Sequence, residues 1–160
     1  MADDPFTQGY NAIWDALEAV PDFAKLVKPG NRIKFSGDRQ PSEKDKVKPS
    51  DSPEVRVSID SGNAPQYTSS STHVTMAYAI EVNTQDARLT AQALPVMYAI
   101  LKAGARIRKG LSNVPSVKQV MPQPMQFNRD DPEGRFRGWV AVAGFAVTFF
   151  FTTSELESDS

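Results

Sequence analysis

Residues 138–155, GWVAVAGFAVTFFFTTSE, are the most apolar run in the chain, and any fold must hide them. Trp139 to Phe151 is 13 residues, too short for a membrane-spanning helix, which needs about 20. The residue types favour a strand. Val140, Val142, Val147, Thr148 and the consecutive Phe149, Phe150 and Phe151 suit a pleated sheet, and Gly144 weakens a helix. A strand with one wet face would alternate with polar residues, and this one hardly does. The pattern therefore predicts a long strand that is apolar on both sides. One face packs in the domain core. The other needs a cover, either a further helix or another subunit.

The rest of the chain supplies a core to receive it. Phe6, Tyr10, Ile13, Leu17 and Val20 recur at helical spacing, so an amphipathic helix is expected up to Pro21. PDFAKLV, 21–27, reads as a second short helix with proline in its first turn. PGN, 29–31, is a turn, and Ile33 and Phe35 begin a strand. Residues 38–53, DRQPSEKDKVKPSDSP, then change character. They hold four acids, four bases and three prolines, the composition of a charged flexible loop. Val55, Val57 and Ile59 alternate with polar residues. After the Ser/Thr-rich connection 61–72, so do Val74, Met76, Tyr78, Ile80 and Val82. These two strands are expected to pair antiparallel.

A long central helix follows. Asp86 is its expected cap, and Leu89, Ala93, Val96, Met97, Ile100, Leu101 and Gly104 form its apolar stripe. Pro95 is expected to kink it and Gly110 to end it. Val117, Val120, Met125 and Phe127 suggest a strand confined by Pro122 and Pro124 to a sheet edge or a bulge. NRDDPEGR, 128–135, reads as the turn into the final strand, and 155–160 as an acidic tail. The expectation is a single α+β domain over 1–160. Its antiparallel sheet of about five strands is packed by the N-terminal helix and the long central helix.

Composition narrows the chemistry. The chain has 160 residues, 40% of them hydrophobic and 23% charged, which suits one globular domain. Its net charge of -1 creates no global basic field, although a local basic face is compatible with it. The absence of cysteine excludes disulfides, thiolate metal sites and cysteine nucleophiles. MADDPFTQGY at the N-terminus lacks the basic-then-apolar pattern of a secretory leader. One histidine, His73, is too little for a zinc site, and no nucleophile-elbow glycine pattern surrounds any serine. His73 as a catalytic base is the weakest of the functional readings. Asp130, Asp131 and Glu133 sit with Pro132 and Gly134, a turn composition without calcium-loop spacing. No glycine-rich phosphate cradle is present. No catalytic residue, metal or cofactor is assigned.

The remaining signal is basic. Lys102, Arg106, Arg108 and Lys109 lie near the end of the long helix, with Lys118 beyond it. Cations are favourable at a helix C-terminus for electrostatic reasons alone. Repeated around an axis, they would form a positive collar for a phosphate backbone. A small nucleic-acid-binding α+β domain is the alternative use of the same residues.

The order of elements resembles the tail terminator and tail completion proteins of tailed bacteriophages. The residues that carry the resemblance are NAIWDALEAVPDFAKLVKPGNRIKF, then PEVRVSI, then the long strand ending AIEVNTQDAR. It spans roughly 6–155 and is one of pattern. It implies a structural virion protein, not an enzyme, that forms a hexameric ring. Such a ring caps the tail tube and meets the neck, head connector or head-completion protein, with genomic DNA passing through its channel without sequence specificity. Sheath contacts and a neighbouring neck-ring role also fit, and no membrane is involved. On this reading Lys102, Arg106, Arg108 and Lys109 are candidate channel cations. Trp139, Val142, Phe149, Phe150 and Phe151 are the candidate subunit interface. The charged 38–53 insertion and the strongly apolar last strand depart from the family pattern.

Overall fold

The computed structural model describes residues 3–34, 52–86, 88–130 and 138–158. Most of the predicted 38–53 loop, Phe35, the tip of the 128–135 turn and the last two tail residues lie outside them. The chain is α+β, as its patterning predicts. Helix α1 spans Pro5–Glu18 and α2 Pro21–Leu26, and a 3-10 turn at Pro29–Asn31 leads into β1, Arg32–Ile33. Strands β2, Glu54–Gly62, β3, Gln66–Tyr67, and β4, Ser71–Asn83, precede the long helix α3, Ala93–Ser112. The closing elements are β5, Val117–Asp130, β6, Gly138–Thr152, and a short α4, Thr153–Ser158.

The strands form one sheet in the order β1-β2-β4-β6-β5, with β3 pairing onto β4. Among the described residues only the β1–β2 pair is parallel. The predicted antiparallel pairing of β2 with β4 is present, with Val55 opposite Val82 and Val57 opposite Ile80. The sheet has six strands rather than five because Gln66 and Tyr67, inside the Ser/Thr-rich connection, pair with His73 and Thr72.

Helices α1, α2 and α3 share one face of this sheet. Ile13 and Leu17 of α1, Phe23 of α2, and Val96, Ile100 and Ile107 of α3 are buried against it. They meet Val55, Val57, Ile80 and Val82 and the odd-numbered side of β6, Ala141 to Phe151. Phe6 sets its ring edge-on to Phe149 at 4.8 Å and to Phe151 at 5.8 Å. Aromatic rings prefer such offset arrangements, because the positive edge of one meets the negative face of another.

Local chemistry explains the helix ends, with corrections to three expectations. Asp4 caps α1, accepting from Thr7 N at 2.9 Å and Thr7 Oγ1 at 2.8 Å. Asp86 does not cap α3. It accepts from the backbone and guanidinium of Arg88, in the turn before the helix. Since α3 starts at Ala93, Pro95 falls in its first turn, where its missing N–H forfeits no helical bond, so it causes no kink. Gly110 does not end α3, which runs on to Ser112. A Cβ on Gly110 would meet Ala12 Cβ at 3.4 Å, ordinary van der Waals contact, so this position faces α1 inside the α1–α3 packing.

Strand β5 is the sheet edge, as its two prolines predict. Its register shifts between Val117 and Gln119 and again between Gln123 and Gln126. The pairing of Asp130 with Gly138 fits the predicted reversal across 128–135. Gly138 itself is required by close approach. A Cβ there would lie 1.8 Å from the Thr84 carbonyl oxygen, beside the 3.0 Å bond that Thr84 N donates to Trp139 O. The described end of the charged insertion is fastened down. Ser52 is buried, its carbonyl accepts from Asn31 Nδ2 at 2.7 Å, and its hydroxyl accepts from Lys28 N at 2.9 Å.

Candidate functional site

Two surfaces stand out, one on each side of the molecule. The first is the sheet face opposite the helices. Strand geometry sends alternate side chains to opposite faces. In β6 the even-numbered residues Val140, Val142, Ala146, Thr148 and Phe150 are half-buried on the side no described helix covers. Register places them beside odd-numbered residues of β4: Glu81 opposite Val142, Ala77 opposite Ala146, Thr75 opposite Thr148 and His73 opposite Phe150. The two threonine hydroxyls hydrogen-bond to each other at 3.0 Å. Met121, opposite Ala146 on β5, adds an exposed apolar side chain to the same face.

Small side chains make part of this face concave. A trough of about 360 Å³ has a floor of Ala77, Ala79, Val142 and Gly144, walled by Glu81 and Gln126. Gly144 permits the shape, since a Cβ there would lie 2.9 Å from the Tyr78 carbonyl oxygen.

The five residues expected at a subunit interface divide accordingly. Val142 and Phe150 lie on the uncovered face. Phe149 and Phe151 do not, which corrects the expectation for both. Strand alternation turns them toward the helices, where they are buried and stacked 6.2 Å apart beneath Phe6. Trp139 is half-buried at the start of β6.

The second surface is the outer side of α3. Leu94, Tyr98 and Leu101, spaced at i, i+4 and i+7, are 38%, 62% and 57% exposed. Leu101 was expected in the core stripe, but the helix turns it outward while Val96, Met97, Ile100, Ala103 and Ile107 face the sheet. Sequence periodicity missed this outer stripe because α3 carries more apolar residues than one buried face can use.

The four candidate cations also divide. Lys102 pairs with Asp22 of α2, and its Nζ stands 4.8 Å above the Tyr98 ring. The hydrogen bond and charge of Lys102 hold the Asp22 carboxyl below its ordinary pKa, and Asp22 raises that of Lys102 in return. Arg106 donates to the Ala19 carbonyl at 3.0 Å, completing the exposed end of α1. These two cations therefore tie α3 to α1 and α2. Arg108 and Lys109 make no ion pair among the described residues. They line a groove of about 600 Å³ between α3 and β5, together with Lys118. The sequence placed Lys118 merely beyond the helix, and the fold brings it back.

Catalytic chemistry finds no constellation among the described residues. His73 meets Phe150 edge-on, ring centres 4.7 Å apart, in a cross-strand pair rather than beside a serine. No group of three metal-binding side chains occurs among the described residues, and no described helix is long and apolar enough to cross a membrane. In comparisons with known proteins, no family model and no curated protein matches the chain.

Proposed function

We propose that this protein is a structural component of a bacteriophage virion. It closes into a ring, of six copies by its resemblance to tail terminators, that caps the tail tube and joins it to the neck or head connector. DNA passes through the channel of that ring, and the subunit itself does no catalysis.

One observation carries the reading: a helix-side apolar stripe, Leu94–Tyr98–Leu101, and a sheet-side apolar face, Val142–Phe150–Met121, occupy opposite sides of one two-layer subunit. A two-fold dimer buries one patch against itself. Two unlike patches suit head-to-tail contact, which closes into a ring when the rotation between neighbours closes. Exposed apolar side chains of this kind support an interface, here as a strip along β6 flanked by Glu81, Thr75, Gln123 and Gln126. A neighbouring neck ring would use the same geometry, and binding partners at the two ends of the ring distinguish the two.

The test is the mass of the purified chain in solution, alone and with tail tubes, by sedimentation and electron microscopy. The proposal expects an assembly of six times 17.6 kDa, formed freely or on the tube end. A monomer that stays monomeric and leaves tube ends bare overturns it.

A further inference from the structure

The groove between the end of α3 and the start of β5 gathers more than charge. Arg108, Lys109 and Ser112 project from the last turns of α3, and Lys118 and Gln119 from β5. None of the residues lining the groove is acidic, and all five of these side chains are exposed. The groove thus offers three cations and two neutral hydrogen-bonding groups to an anion, with no carboxylate to compete.

The backbone here is shaped to aim one of them. Val117 pairs with Phe149 and Gln119 with Thr148, so Lys118 is the extra residue of a bulge. Ser116, just before it, has φ 76°, a left-handed conformation costly for a residue with a Cβ, and its carbonyl accepts from Phe150 N at 2.7 Å. The result sets Lys118 between two depressions. One is the basic groove. The other, of about 310 Å³, is lined by Ser116, Val117, Lys118 and Phe150. Lys118 Nζ lies 5.6 Å from the centre of the Phe150 ring. Phe150 is 32 residues from Lys118 in the chain, so the sequence shows no aromatic residue among these cations.

We propose that this composite cleft binds single-stranded nucleic acid. Arg108, Lys109 and Lys118 neutralise successive phosphates, and Ser112 and Gln119 hydrogen-bond to phosphate or sugar oxygens. A base then stacks at Phe150 when Lys118 moves from the ring to the backbone. A cationic groove beside an aromatic platform is the combination that single strands require, because phosphates supply affinity and the ring accepts any base. A rigid duplex keeps its bases stacked inside and cannot place one on Phe150. The site lies within one subunit, and because Phe150 also belongs to the sheet-side face proposed for ring contact, ring closure and base stacking compete for it.

The experiment is fluorescence anisotropy with a labelled 12-nucleotide oligothymidine across a salt series. Three phosphate contacts predict a slope of about -2 in log affinity against log salt, at about 0.7 per contact for single strands. The exposed triple variant R108E/K109E/K118E should lose at least tenfold in affinity, while K102A should bind like the parent. F150L, which keeps apolar volume but removes the ring, should lose about fivefold. An abasic oligonucleotide of the same length should lose as much against the unaltered protein, a readout that no folding defect affects. Equal affinity for oligothymidine, its abasic analogue and a duplex overturns the stacking site. Undiminished binding by the triple variant, or competition by polyglutamate as strong as by oligothymidine, overturns the groove as a nucleic-acid site. Anisotropy is read on the unassembled subunit, whose mass is checked by sedimentation, and ring formation is read separately without oligonucleotide, so failure of one proposal does not mask the other.

Discussion

The Tyr78 hydroxyl donates a 2.8 Å hydrogen bond to the Phe6 carbonyl, joining the middle of the sheet to the first turn of the N-terminal helix. Burial pushes the Tyr78 phenol well above its ordinary pKa, and the charge of Asp4 adds to the shift, so the group stays a neutral donor. Gly9 makes the contact possible, since a Cβ there would stand 2.9 Å from the Tyr78 hydroxyl oxygen. Tyr78→Phe removes the donor and keeps the ring. The expected cost is about 1 kcal/mol, seen as a fall of about 3 °C in Tm for a chain of this size. An unchanged Tm in calorimetry would show that the bond contributes nothing net.

Adjacent phenylalanines should behave oppositely. Phe149 is fully buried beneath Phe6, so Phe149→Ala should cost about 3–5 kcal/mol and reduce soluble yield. Phe150 faces away from the helices, so Phe150→Asp should cost about 1 kcal/mol, leaving a folded subunit that does not form the proposed ring. Circular dichroism and sedimentation separate the two effects. Persistent rings in the Phe150→Asp variant would remove that residue from the interface.

Acid should loosen the N-terminal helix through Asp4. The Thr7 backbone N–H, and then the Thr7 hydroxyl, hold its carboxyl below its ordinary value of 3.8. The folded state therefore binds the proton less readily than the unfolded chain. The stabilisation is complete above that ordinary value and fades as pH falls through it toward the lower folded value. Asp4→Ala should cost about 1 kcal/mol at neutral pH. It should also leave a flatter stability profile below pH 4, by denaturation at stepped pH. Parallel acid limbs for parent and variant would contradict the assignment.

Arg32 closes the end of α2. Its guanidinium donates to the Val27 carbonyl at 2.8 Å and the Ala24 carbonyl at 3.2 Å, and pairs with Glu18 at 3.0 Å. Its side chain is only 12% exposed. Arg32→Ala should cost about 2 kcal/mol, within the range for hydrogen bonds to charged groups. Arg32→Lys should recover only part of this, because an ammonium cannot reproduce the planar fork. Chemical denaturation of the three proteins gives the comparison, and full recovery by lysine would reduce the contact to simple charge.

Much of the architecture was legible because periodicity is local. Alternation at 55–59 and 74–82 announced two paired strands, and the prolines at 122 and 124 announced an edge. Strand β3 was missed because two residues carry no period. Pro95 and Leu101 were misread because the start and rotation of α3 are decided by what it packs against. The candidate sites were less legible. Composition marked the cations of α3, but it could not show that Lys102 and Arg106 are engaged by α1 and α2 while Arg108 and Lys109 are not.

The sequence alone determined that residues 139–151 form a long strand apolar on both sides, since side-chain character and backbone preference act within a few residues. Only the tertiary structure decided which side is covered. Placing three helices on one face buries Phe149 and Phe151 and leaves Phe150 outside, and it carries Lys118 back to Arg108 and Lys109. Those assignments depend on strand register and helix docking, which are set by contacts between residues far apart in the chain.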